Sequence, residues 1–181
     1  MTDKKNVPAR EGACALIKII CDEGVGHAAE PFIFEKILHL LVSETFADKI
    51  TGVRQAAIDA VMALVKVMTS WAVPLLLPIV MDQIHNAGKW QVKVGGLQVL
   101  DELIRSSPEQ IASAMPNIIP VLADVIHDTK ADVKKAARAT LTNSTALISN
   151  KDIERFIPAL VGFSSSYPSG TILIALHRFN V

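Results

Sequence analysis

The chain has 181 residues, half of them hydrophobic but only 5% aromatic, with 18 basic and 18 acidic side chains. That length favours one domain, and the aliphatic, alanine-rich content suits close-packed helices. The formal net charge of zero argues against a generic polyanion binder, whose affinity comes from bulk positive charge, but leaves room for a local patch.

Met1 to Val7 is a short polar lead, MTDKKNV, with none of the features of a signal peptide. Pro8 then opens a helix to about Asp22, whose apolar stripe is Leu16, Ile17, Ile20 and Cys21 and whose end is marked by Gly24 and Gly26. Cys14 and Cys21 fall on one face of this helix, about 10 Å apart, too far for a disulfide. They read as buried apolar thiols in a reducing compartment, and the chain is placed in the cytoplasm. A second helix runs from about Ala28 to Phe46, with Phe32, Ile33, Leu38, Leu41 and Val42 expected to be buried. A third follows from about Thr51 to Thr69, carrying Val53, Ala57, Val61, Leu64, Val65 and Met68. A fourth, from about Val73 to Ala87, contains Pro78. The apolar run from Trp71 to Met81 has 11 residues and two prolines, where spanning a bilayer takes about 20.

Gly88-Lys89-Trp90 opens the fifth helix. Ser107 is the expected N-cap of the sixth, with Pro108 in its first turn and Gln110 completing a capping box. Ile111, Met115, Ile118, Ile119, Leu122 and Ile126 recur there at helical spacing, and Pro116 and Pro120 predict a kink. Asp128 and Thr129 end it and can cap a seventh helix from Lys130, in which Val133, Ala136, Ala137, Thr140, Leu141 and Leu147 are the expected buried stripe. Asn150 caps an eighth, with Ile153, Phe156, Ile157, Leu160 and Val161 on one side.

Two markers repeat through this series. The pair Val53-Arg54 returns as Val92-Lys93 and as Val133-Lys134, in steps of 39 and 41 residues. Pro78 returns as Pro120 and Pro158, in steps of 42 and 38. A period of roughly 40 residues with two helices per unit is the signature of HEAT-type arrays. The predicted fold is therefore all-α: a HEAT/armadillo-type α-solenoid of stacked antiparallel helix pairs, about 8 helices in all. Its domain covers 8–162, with pairs at 28–69, 72–106 and 108–148 and half-units at 8–22 and 151–162. The repeat logic stops at Gly162. The tail 163–181 is expected to be poorly ordered or to lie on the open end, where a solenoid needs a cap, and a truncated gene product is a further reading of it.

Motifs that carry chemistry are few. The sequence holds no phosphate-binding loop, no G-x-G-x-x-G, no nucleophile elbow and no H-E-x-x-H. Gly95-Gly96 lies within a helix and reads as a mark of close helix approach. His85 and His127 are 42 apart and occupy similar surface slots, without further metal ligands. Asp101 and Glu102 are neighbours and point about 100° apart on a helix, so they are no facing acid–base pair. No enzyme, cofactor or metal site is expected. The basic residues carry more. Lys89 and Lys93 stand at the start of one helix, and Lys130, Lys134, Lys135 and Arg138 at the start of its equivalent one repeat later. In a stacked array the two sets lie side by side. They are either ordinary solvated surface or a ridge for phosphates or acidic protein, partly neutralised by Asp128 and Asp132.

Three phrases then combine: Gly88-Lys89-Trp90-Gln91-Val92-Lys93, MPNIIPVLADVIHDTKADVKKAA (115–137) and NKDIERFIPALV (150–161). Together they resemble the N-terminal HEAT-repeat domain of fungal-type translation elongation factor 3, over about 8–162 and most strongly from 89 onward. The resemblance implies a ribosome-bound ATPase of the ABC class that helps release deacylated tRNA from the exit site. It implies that the HEAT domain is a docking arm touching ribosomal RNA and proteins, with the ATP-binding cassettes far downstream and not represented here. The expected partners are the ribosome and other translation factors, with neither membrane nor DNA among them. The alternative is a general protein scaffold, as in nuclear transport receptors, phosphatase scaffolds or the ribosome-associated activator of the starvation kinase.

Overall fold

A computed structural model describes residues 5–25, 32 and 37–147, and among these every regular element is helical. Helix α1 spans Val7–Ile20. Asn6 caps it, its Oδ1 accepting from the Ala9 N–H at 3.0 Å, and Pro8 stands in the first turn, where the missing N–H has no intrahelical partner to lose. The chain continues as a wider π-helical turn over Cys21–Val25, broken by Gly24 at φ 79, a left-handed conformation that glycine adopts without a Cβ clash. Element α2 is the π-helical segment Leu40–Thr45. There the Thr45 hydroxyl donates to the Leu40 carbonyl at 3.1 Å, five residues back, which suits the wider turn.

Helix α3 is Thr51–Val67. After a short 3₁₀ turn at Ser70–Ala72 come α4, Val73–Asn86, and α5, Trp90–Ser106. Helix α6 is Pro108–Val125, and α7 is Ala131–Thr145. The eighth predicted helix, the tail after it and most of 28–36 lie outside the described residues.

These elements form two layers. Helix α1 lies against α3, α3 against α5 and α5 against α7; α2, α4 and α6 make the second layer, α4 packing on α5 and α6 on α7. Each helix meets its neighbours along the stack rather than a common centre, the all-α solenoid that the period of the markers predicts. One continuous aliphatic core, from Cys14 in α1 to Ala137 in α7, fills the space between the layers. Gly95 and Gly96 let the layers close up. A Cβ at Gly95 would stand 2.7 Å from Phe46 Cδ2, and one at Gly96 2.8 Å from Ile84 Cγ1.

Helix α6 runs unbroken through Pro116 and Pro120. Each proline removes one N–H from the ladder, at about 3 kcal/mol in a helix interior. Ile111, Met115, Ile118, Ile119 and Leu122 are all buried on the other side of the balance, and at roughly 1.5–3 kcal/mol each they outweigh it.

Three local expectations need correction. Ser107 is the residue before α6, but its hydroxyl makes no capping bond there, so the predicted capping box is not formed. Its backbone, at φ −139 and ψ 57, does not bring the hydroxyl to a first-turn N–H. Phe32, expected in the core, is 70% exposed, and Leu16 of the predicted α1 stripe is 57% exposed. Helix α1 is covered through α3 alone in the layer it shares, and its buried residues are Arg10, Cys14 and Ile17, a narrower stripe than the apolar pattern offers.

Candidate functional site at the basic edge

The connections into α3, α5 and α7 lie along one edge of the stack, and the same device recurs there. Asp48 Oδ1 accepts from the Ile50 N–H at 2.9 Å, and Asp128 Oδ1 accepts from the Lys130 N–H at 2.9 Å. Each aspartate so fixes the turn three residues before a helix begins, a local bond that Asp forms readily. The other oxygen reaches across to the preceding odd-numbered helix. Asp48 Oδ2 is 3.0 Å from Arg10 Nε of α1, and Asp128 Oδ2 accepts from Lys93 Nζ of α5 at 2.9 Å. Lys93 and Asp128 are both largely covered, so water screens this pair less than an exposed one. Burial pushes the Asp128 carboxyl up. The hydrogen bonds from Lys93 and the Lys130 N–H, the Lys93 charge and the Thr129 hydroxyl outweigh that and hold it below the ordinary aspartate value.

Between these two links the pattern is interrupted. Counting five residues back from Val53 and Val133 gives Asp48 and Asp128; counting five back from Val92 gives Ala87. Arg54, the α3 counterpart of Lys93, turns instead to its own loop. Its Nη1 donates to the carbonyls of Asp48 at 2.7 Å and Lys49 at 3.1 Å, and its Nη2 to Thr51 Oγ1 at 2.9 Å.

The six basic residues singled out from sequence are thereby divided. Lys89 immediately precedes α5, is exposed, and donates from Nζ to the Ala47 carbonyl at 2.7 Å. Lys93 is an internal strut, its charge matched by Asp128. Lys130 immediately precedes α7 with an exposed side chain. Lys134 is half-buried, in the register that Lys93 has in α5, and Lys135 and Arg138 are exposed. Among the described residues no carboxylate pairs with Lys130, Lys134, Lys135 or Arg138. Lys89, Trp90, Lys93, Asp128 and Lys130 gather round one groove of about 300 Å³, which Lys134, Lys135 and Arg138 do not line. Sequence reasoning missed the structural use of Lys93. An aspartate six residues before a basic residue, Asp48 before Arg54 and Asp128 before Lys134, marks the turn but not the partner that its carboxylate reaches.

Other titratable groups among the described residues form no reactive cluster. Cys14 and Cys21 are free and buried, and burial pushes both thiols up. His85 Nε2 lies 3.8 Å from Asp124 Oδ2 at the surface. Among the described residues no three His, Cys, Asp or Glu side chains converge as metal ligands, and no helix is long and apolar enough to cross a membrane.

Helix pairs stacked in two layers, tied along one edge by aspartate–base links, define a HEAT-type repeat domain. The family described as EF3 N-terminal HEAT repeat matches residues 1–141, and the chain belongs to that family. Over 159 residues it is 54% identical to elongation factor 3 of Mycosarcoma maydis, covering 88% of this chain and 15% of that protein. The elongation factor 3 of Gonapodya prolifera is 40% identical over 87% of this chain, and that of Candida albicans 37% identical over 87%. The chain thus spans about 15% of the length of these relatives.

Proposed function

We propose that this chain is a ribosome-docking module of an elongation-factor-3-like protein, acting in translation elongation by binding and without catalysis of its own. Relatives that carry the same segment are named elongation factor 3, which supplies the context. The observation that carries the reading is at the start of α7: Lys130 just before it and Lys135 and Arg138 within it are exposed, and no carboxylate pairs with them among the described residues. Unmatched cations on a chain of zero net charge make a local patch for phosphates or acidic protein. Lys93 leaves the docking set, because its charge is already matched.

Cosedimentation of the purified chain with ribosomes tests this. Pelleting should fall as salt rises, and Lys135→Glu combined with Arg138→Glu should reduce it several-fold at low salt. Both side chains are exposed, so the fold should persist. Pelleting that the double variant leaves unchanged would remove α7 from the interface. Capture of free proteins without any ribosome pelleting would instead support a general scaffold.

A further inference from the structure

The groove between the turn before α5 and the turn before α7 has a composition that bare charge does not explain. Trp90, the first residue of α5, is 37% exposed on its wall. Lys89 and Lys130 line the same groove, together with Gly88 and Thr129. A Cβ added at Gly88 would meet nothing within 4 Å, so the mouth is open. Lys89 gives a hydrogen bond to a neutral carbonyl, which leaves its positive charge uncompensated. Lys130 has no carboxylate partner among the described residues. Asp128 is spent on Lys93 and on the Lys130 N–H. The groove therefore combines a partly exposed indole with two lysines that no carboxylate pairs among the described residues, at a volume of about 300 Å³, the small end of ligand sites.

We infer that this groove takes one unpaired nucleobase of a single-stranded RNA segment, stacked on Trp90, with the flanking phosphates on Lys89 and Lys130. An indole beside point charges is how sequence-tolerant single-strand binders hold a base and its backbone. An acidic peptide without aromatic side chains satisfies the lysines but gives the indole no flat π-face. The inference rests on the docking reading above and narrows it: at this edge the contacted chemistry is RNA that is not in a duplex.

The chain has two tryptophans, and Trp71→Phe leaves Trp90 as the sole indole reporter. Titration with a single-stranded oligouridylate or oligoadenylate should quench its emission, while duplex RNA and polyglutamate should not. Trp90→Ala should weaken binding of a labelled oligonucleotide by about tenfold, and Trp90→Phe should retain most of it. With two phosphates engaged, the log–log salt slope should be about −1.4, and Lys130→Glu should reduce its magnitude by about 0.7. Equal affinity of the Trp90→Ala variant, or quenching by polyglutamate as strong as by RNA, overturns the inference. So does ribosome pelleting that persists when no single strand binds, an outcome that leaves docking intact. Oligonucleotide binding that depends on Trp90, without ribosome pelleting, upholds the groove and sinks the docking reading instead.

Discussion

The carboxylate of Asp128 is shared between the backbone of its own turn and the ammonium of Lys93, 35 residues earlier in the chain. Asp128→Asn keeps an oxygen for the Lys130 N–H but loses the charge that Lys93 faces. A hydrogen bond to a charged partner is worth roughly 1.5–3 kcal/mol. The variant should therefore lose about 2 kcal/mol of unfolding free energy in urea at neutral pH. The same link fixes a pH dependence. The folded-state value of Asp128 lies below the ordinary one, so the folded protein holds the deprotonated form more strongly than the unfolded chain does. Its contribution is complete above the unfolded value of about 3.9 and is lost as pH falls through the lower folded value. The gap between wild type and Asp128→Asn should then close as titration proceeds below about pH 4. A gap that stays constant to pH 2 would show that the charge of Asp128 is not what stabilises the turn. Nothing local in the sequence announces this pair. Lys93 reads as one more exposed base at a helix start, and only the packing of α5 on α7 brings it to Asp128.

At the scale of the helix, Gly95 sets how near α5 approaches Phe46, the residue just after α2. Phe46 is 1% exposed, and the Cβ that alanine would add at Gly95 stands 2.7 Å from its ring, so the ring must shift inside a filled core. Alanine improves helix propensity by about 1 kcal/mol, while overpacking a filled core costs about 1–3 kcal/mol. Gly95→Ala should therefore destabilise by about 1 kcal/mol. Gly12→Ala, in α1 with nothing within 4 Å of the new Cβ, should stabilise by up to about 1 kcal/mol. Thermal melts of the two variants should shift in opposite directions, and a shared direction would mean that propensity alone rules both sites. Helices such as α3 and α6 were legible because their apolar periodicity survives intact, and Gly95-Gly96 was legible as a close approach. Leu16 and Phe32 were misread for a physical reason. An apolar residue is buried only if a neighbour covers that side, and coverage depends on position in the stack, which periodicity does not report. Ser107 shows the converse: its place before the helix was readable, but the hydroxyl bond depended on a backbone conformation that the residue type leaves open.

Across the whole molecule, the aspartate–base links form a row, and the row has a gap. Arg10 of α1 meets the aspartate before α3, and Lys93 of α5 meets the aspartate before α7. By the same register Arg54 of α3 should meet the residue before α5, which is Ala87. The roughly 40-residue period, legible from Val-Arg and Val-Lys pairs alone, is what locates the missing partner; the link itself became visible only once the layers were stacked. Ala87→Asp should restore it, offering one oxygen to Arg54 and the other to the Lys89 N–H, as Asp128 does for Lys93 and Lys130. Arg54 must give up some bonds to its own loop, so the net gain should be only about 1 kcal/mol. For a chain of this size that raises the melting temperature by about 2–4 °C. The comparison that isolates the link is a double-mutant cycle with Arg54→Met, in which the gain should vanish. An equal gain in both backgrounds would mean that aspartate merely tightens the turn. Loss of stability in both would mean that the edge of the stack at Ala87 has no room for a carboxylate, and that the register shared by the other two links does not extend through the middle of the array.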